Sequence, residues 1–161
     1  MHDDRARPEL PQDVHRRSQA VVTLEVWYNQ EPDNDYSEGD PAIVIETPEE
    51  LDALIARVQA DTKDVAVPSM VECSVVGDPQ RGVFDMGIGQ ATGFVMFMTS
   101  EPAQTHSDGN SGEYVVYDYM AHVREIPASY EVPMDEVRRV AREFLATGTV
   151  PTGLTPKTDT K

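Results

Sequence analysis

Thr47-Pro48-Glu49-Glu50 is a helix start in each of its positions, and it fixes how the chain around it must be divided. Thr47 is suited to cap backbone N–H groups of the first turn. Pro48 already has a helical φ and no N–H to leave unpaired, and Glu50 is placed to close a capping box. Leu51, Leu54, Ile55 and Val58 follow at i, i+3, i+4 and i+7, so the spacing predicts an amphipathic helix over Glu49–Ala60. The flanking patterns have a different period. Val22, Leu24, Val26 and Tyr28 alternate with Thr23, Glu25 and Trp27, which predicts a half-buried strand over Val21–Tyr28. Ala42–Ile45 is short, apolar and adjacent to the helix, and predicts a second strand.

Downstream, strands are expected at Met70–Val76, Val83–Ile88, Phe94–Thr99 and Tyr114–Met120, with His122–Ile126 continuing the last or bending from it. Gln90–Gly93 and the longer Ser100–Gly112 supply the turns, and short connections make neighbouring strands antiparallel. Phe94, Met96 and Met98 share one face while Val95 and Phe97 share the other. A strand apolar on both faces belongs at the centre of its sheet, covered by helices on one side and partly covered on the other. A second helix is expected over Pro133–Ala146, with Val137, Val140, Ala141, Phe144 and Leu145 as its buried stripe. Arg138, Arg139 and Arg142 lie toward its C-terminal half, Gly148 ends it and Pro151 blocks continuation. Two amphipathic helices packed on an antiparallel β-sheet meander make an α+β fold.

The 161 residues carry 29 acids and 13 bases, a formal charge of −16, and its placement matters more than its size. Residues 1–20 and 126–161 are each neutral, so the whole excess falls in residues 21–125, where the bases are Arg57, Lys63, Arg81 and Arg124. Charge of this sign argues against gripping nucleic acid, which needs a basic footprint, and against docking on anionic lipid. Within the acidic stretch, Asn29–Pro41 collects Glu31, Asp33, Asp35, Glu38 and Asp40 with no base, and predicts an acidic loop. Residues 1–18, with two prolines and eight charges, read as a disordered arm; 19–154 as one domain; 155–161 as a fraying tail. No apolar run long enough for a secretory signal or a membrane span is present, and the single Cys73 excludes an internal disulfide. A cytoplasmic protein is the expectation.

Chemistry is hard to find. Gly87-Ile88-Gly89 with Gly93 has the wrong spacing for a dinucleotide fingerprint, and no lysine stands near for a phosphate loop, so a hairpin needing glycine is the reading. His2, His15, His106 and His122 lack helical zinc-ligand pairing, and His106 with Asp108 reads as a solvated loop. Cys73 alternates with Val71 and Val75 and is expected to be an inert core thiol. No Gly-x-Ser-x-Gly elbow occurs. Among 29 acids, chance pairs are plentiful, so Glu72, Asp85 or Asp118 cannot be singled out. No catalytic residue, metal site or cofactor is expected.

Several segments occur in an order that resembles a known family. They are Thr23-Leu24-Glu25-Val26-Trp27-Tyr28; Thr47-Pro48-Glu49-Glu50-Leu51-Asp52-Ala53-Leu54; Tyr117-Asp118-Tyr119-Met120; and Val132-Pro133 through Arg142-Glu143-Phe144-Leu145-Ala146-Thr147-Gly148 to Pro151-Thr152-Gly153. Together they resemble the Imm family number one, immunity proteins of bacterial polymorphic toxin systems, over about residues 21–154. Leu154-Thr155-Pro156 stands where the family commonly has a tryptophan, and Ala121 where it often has glycine. The resemblance implies an α+β fold, no catalysis and tight binding to a cognate toxin, often a nuclease or a nucleic-acid deaminase. Such a toxin needs a basic active surface, and an acidic inhibitor is its physical complement.

On that reading Glu31, Asp33, Asp35, Glu38 and Asp40 are the candidate contacts, with Trp27 and Tyr36 as candidate anchors. A solvated linker is the alternative for the loop, and packing under a neighbouring element the alternative for Trp27. Two other functions stay open: a small enzyme with a carboxylate site, acting on a sugar or an amine, and a scaffold acidic only for solubility. A deep pocket with converging acids favours the enzyme; a broad acidic face favours the inhibitor.

Overall fold

A computed structural model describes residues 21–28, 42–78, 83–99, 102–107, 112–119 and 122–156. Its strands are β1 (Leu24–Trp27), β2 (Ile43–Ile45), β3 (Ser69–Val75), β4 (Val83–Ile88), β5 (Thr92–Phe97), β6 (Ala103–Gln104), β7 (Tyr114–Tyr119), β8 (His122–Pro127), β9 (Val132–Pro133) and β10 (Thr155–Pro156). Among the described residues two α-helices, α1 (Pro48–Asp61) and α2 (Met134–Thr147), complete the α+β fold. The order across the sheet is β10-β6-β5-β4-β3-β1-β2, with β9 also paired to β5 and a β7–β8 ribbon joined to β3. Neighbours are antiparallel except at β3 and β7, which meet in parallel at Ser69 and Asp118.

The capped helix forms as its sequence dictates. Thr47 Oγ1 accepts from Glu50 N at 3.1 Å, while Glu50 Oε1 accepts from Glu46 N, one residue farther out than a standard capping box. Leu51, Leu54, Ile55 and Val58 are buried, as are Val137, Val140, Ala141, Phe144 and Leu145 of α2. Both stripes pack on one sheet face, against Leu24 and Val26 of β1, Val71, Cys73 and Val75 of β3, and Phe84, Met86 and Ile88 of β4. Phe84, Phe97 and Phe144 form a ring cluster with centroids 5.0–5.4 Å apart, locking α2 to β4 and β5. Arg142 of α2 pairs with Asp52 of α1, which fastens the helices to each other. Gly148 ends α2 with a φ of 73°, the left-handed cap that glycine accepts without strain.

Among the described residues the opposite face is covered only in part, chiefly by the β7–β8 ribbon. Tyr117 and Ile126 turn inward onto Met70 and Phe94, and the Phe94 and Tyr117 rings meet edge-on at 5.0 Å. This explains why β5 is apolar on both faces: Val95 and Phe97 serve the helices, and Phe94 serves the ribbon.

Three short strands arise from partners rather than from pattern. β6 lies inside the expected Ser100–Gly112 turn, because Ala103 and Gln104 pair with Phe97 and Met96. β9 pairs with Thr92 and Gly93 just before α2. β10 falls within the segment expected to fray; Thr155 and Pro156 pair there with Gln104 and Ala103. The β4–β5 turn is the expected glycine hairpin, but its glycines answer to close approach rather than to positive φ. A Cβ on Gly93 would lie 2.1 Å from the Gly87 carbonyl oxygen, and one on Gly89 2.4 Å from that of Thr92. The expected arm, residues 1–18, lies outside the described residues.

Candidate partner-binding surface

β1 and β2 form an antiparallel hairpin, Val26 opposite Ile43, whose connection is the acidic segment 29–41. Glu31, Asp33, Asp35, Tyr36, Glu38 and Asp40 lie outside the described residues; Trp27 does not. The root of the connection is held by Tyr28, whose hydroxyl donates to Asp61 Oδ2 at 2.9 Å at the end of α1, with Arg57 stacked 5.5 Å over its ring. Burial and the Asp61 carboxylate push the Tyr28 phenol far above its ordinary range, so it stays a donor. The acidic connection therefore leaves from one fixed corner of the sheet.

Trp27 closes β1 at that corner, on the face away from the helices, and is only partly buried. It sits in a row read directly from the register. Trp27 is opposite Glu72, Glu72 opposite Asp85, Asp85 opposite Met96, and Met96 opposite Gln104. The sequence offered no reason to choose Glu72 and Asp85 from the other acids; only the β3–β4 register joins them. Asp85 is 4% exposed, and its carboxyl is pushed up to about 7, first by burial and then by Glu72, with Arg124 pulling the other way. The Tyr119 hydroxyl donates to Glu72 Oε1, and the Arg124 guanidinium lies 5.1 Å over the Tyr119 ring. Glu72 thus ties the end of β7 to the row that begins at Trp27.

The same corner is where β7 takes over the edge of β3. β1 pairs with β3 from Glu72 to Val75, and β7 meets β3 at Ser69, with Asp118 N donating to Pro68 O at 2.8 Å. Trp27 and the ribbon are accordingly neighbours, although they are far apart in sequence.

A groove of about 240 Å³ lies elsewhere, between β2 and α1, lined by Ile43, Val44, Ile45, Glu50, Ala53, Leu54 and Arg57. Its single lining carboxylate is Glu50, so it is not a convergence of acids. Cys73 is fully buried in the main core, and burial drives its thiol well above the ordinary range, as an inert core residue requires. His106 is exposed, and its suggested partner Asp108 lies outside the described residues. Among the described residues no group of three or more His, Cys, Asp or Glu could hold a metal ion. No helix among them is long and apolar enough to cross a membrane.

No curated protein matches this sequence. A family model described as Immunity protein Imm1 matches residues 39–158, a span that begins beyond β1 and contains α1, the ribbon and the Val132–Gly153 segment. That span is well over half of the chain, and the protein belongs to the Imm1 family of immunity proteins.

Proposed function

We propose that the protein is a cytoplasmic, non-enzymatic inhibitor that neutralises a cognate polymorphic toxin by binding it, and that the toxin domain is a basic nuclease or nucleic-acid deaminase. Family membership supports the immunity role, and with it a cognate toxin. The observation that carries the rest is the confinement of the −16 to residues 21–125, together with the placing of Trp27 opposite Glu72 at the root of the acidic connection. A protein that must hold nucleic acid presents a basic surface, and an acidic face competes for it on electrostatic terms. The acids of segment 29–41 accelerate encounter, while Trp27 and Tyr36 slow dissociation.

The test is coexpression with the C-terminal domain of whatever protein the reading frame immediately upstream encodes, the expected place of a cognate toxin. Cells expressing that domain alone should die, and those carrying this chain as well should survive. The purified pair should form a complex whose association slows with added salt. Killing that this chain does not relieve, despite its soluble expression, would overturn the proposal.

A further inference from the structure

Among the described residues, the β7–β8 ribbon uses only one of its faces to hold the fold together. Register places Val115, Tyr117 and Tyr119 on the inner face with Ile126, Arg124 and His122, and Tyr114, Val116 and Asp118 on the outer face with Pro127, Glu125 and Val123. The inner face has packed partners: Tyr117 and Ile126 are buried, and the Tyr117 hydroxyl donates to Glu131 Oε2 at 2.6 Å. The outer face has large apolar groups in solvent. Tyr114 is 63% exposed, Val123 67% and Val116 38%. Aromatic and β-branched side chains are common in strands, but three of them on one solvated face of a ribbon are surplus to the fold. The charges among them have one sign. Asp118 and Glu125 stand between the apolar groups, and the ribbon's arginine, Arg124, is turned inward over Tyr119.

We infer that the outer face of this ribbon is the apolar core of the contact with the basic toxin domain, with Tyr114, Val116 and Val123 as anchors and Asp118 and Glu125 as charged neighbours. This rests on the proposed immunity function and deepens it. Charge complementarity selects the occupant: an apolar strip interleaved with carboxylates accepts a partner that brings lysines or arginines beside its own apolar groups. Position supports the same choice. The tie from Tyr119 to Glu72, opposite Trp27, makes the ribbon continuous with the corner from which the acidic connection departs. Six residues at about 3.4 Å each, on two strands about 5 Å apart, give a core of roughly 20 by 10 Å. A stable interface buries about 800 Å² per partner, so this strip is its centre and not its whole extent.

The test uses the full chain and the toxin domain encoded immediately upstream. Tyr114→Ala/Val123→Ser should weaken binding by at least 100-fold, mainly through faster dissociation, with an unchanged thermal midpoint because both side chains are exposed. Val76→Ser, at an exposed valine just past the end of β3 opposite to the one the ribbon meets, should bind as wild type. A photoreactive benzoylphenylalanine at position 114 should crosslink to the toxin, and one at position 76 should not, which removes any dependence on the folding of the double variant. Failure of the wild-type chain to bind would sink the proposed function itself. Wild-type binding that the double variant retains, without a crosslink from position 114, would overturn the ribbon assignment alone. So would a self-association of the free chain that the same substitutions abolish, since the face would then belong to a second copy.

Discussion

Glu72 and Asp85 stand directly opposite each other on adjacent strands, two carboxylates in one register pair on the sheet face away from the helices. Like charges so placed repel, and burial adds to the cost of ionising the more enclosed one. The neighbourhood responds with a phenol and a guanidinium: Tyr119 donates to Glu72, and Arg124 stacks on Tyr119. A fold that needed only stability would have little use for such a pair.

The first expected outcome follows from protonation. The Asp85 carboxyl titrates near 7 in the folded protein and near the usual 3.9 when unfolded. Between those values the folded state holds a proton that the unfolded state has lost, so the contribution of Asp85 to stability is complete below about pH 4. It is lost as pH rises to about 7. Asp85→Asn mimics the protonated form and removes this loss. Urea unfolding should show the variant close to wild type at pH 4 and more stable by about 2–4 kcal/mol at pH 8. Equal stabilities at pH 8 would show that Asp85 is ionised there without penalty.

How much of this was legible follows from how local each signal is. α1 is written within a dozen residues, from the Thr47 cap through the Val58 contact, and it forms where its sequence places it. β5 declares through Phe94 and Val95 that both its faces are covered, but not that a ribbon some twenty residues downstream supplies one cover. β6 and β10 are two residues each, too short to carry a period, and exist because Met96 and Gln104 offer them edges. The Glu72–Asp85 pair is legible only through the β3–β4 register, which no local pattern specifies. The exposed ribbon face was hidden for a similar reason: Tyr114–Tyr119 reads as an ordinary strand until its inner residues are assigned.

The β4–β5 turn yields a second prediction. At Gly93 an added Cβ would meet a backbone carbonyl at 2.1 Å and Met134 Sδ at 2.7 Å, where β5 receives β9 and the first residue of α2. A backbone oxygen cannot rotate away as a side chain can, so Gly93→Ala should destabilise by about 3 kcal/mol or prevent soluble folding. The same substitution at Gly77, whose surroundings are open but whose φ is 83°, tests the other cost of replacing glycine. It should cost about 1 kcal/mol, from the left-handed backbone alone. Urea midpoints for the two variants would separate crowding from conformation.

The helix cap gives a third. Thr47→Ala removes the acceptor for Glu50 N and should cost about 1 kcal/mol, whereas Thr47→Asp should retain most of the stability because it supplies another acceptor. Wild-type stability in both variants alike would mean that the Glu46–Glu50 contact, rather than the Thr47 side chain, holds the first turn.

The last prediction separates the acids of the connection from the aromatic at its root. Reversing Asp33, Asp35 and Glu38 to lysine changes the net charge by six units without touching the described core. If these acids steer a basic toxin, the association rate at low salt should fall about 10- to 100-fold and lose much of its salt dependence, with dissociation little changed. Trp27→Ala should do the reverse, leaving association nearly intact and raising dissociation, because an anchor acts after encounter. Stopped-flow traces at two ionic strengths distinguish the two. An unchanged low-salt association rate in the triple variant would remove the connection from the encounter surface and leave the ribbon and Trp27 as the remaining candidates for contact.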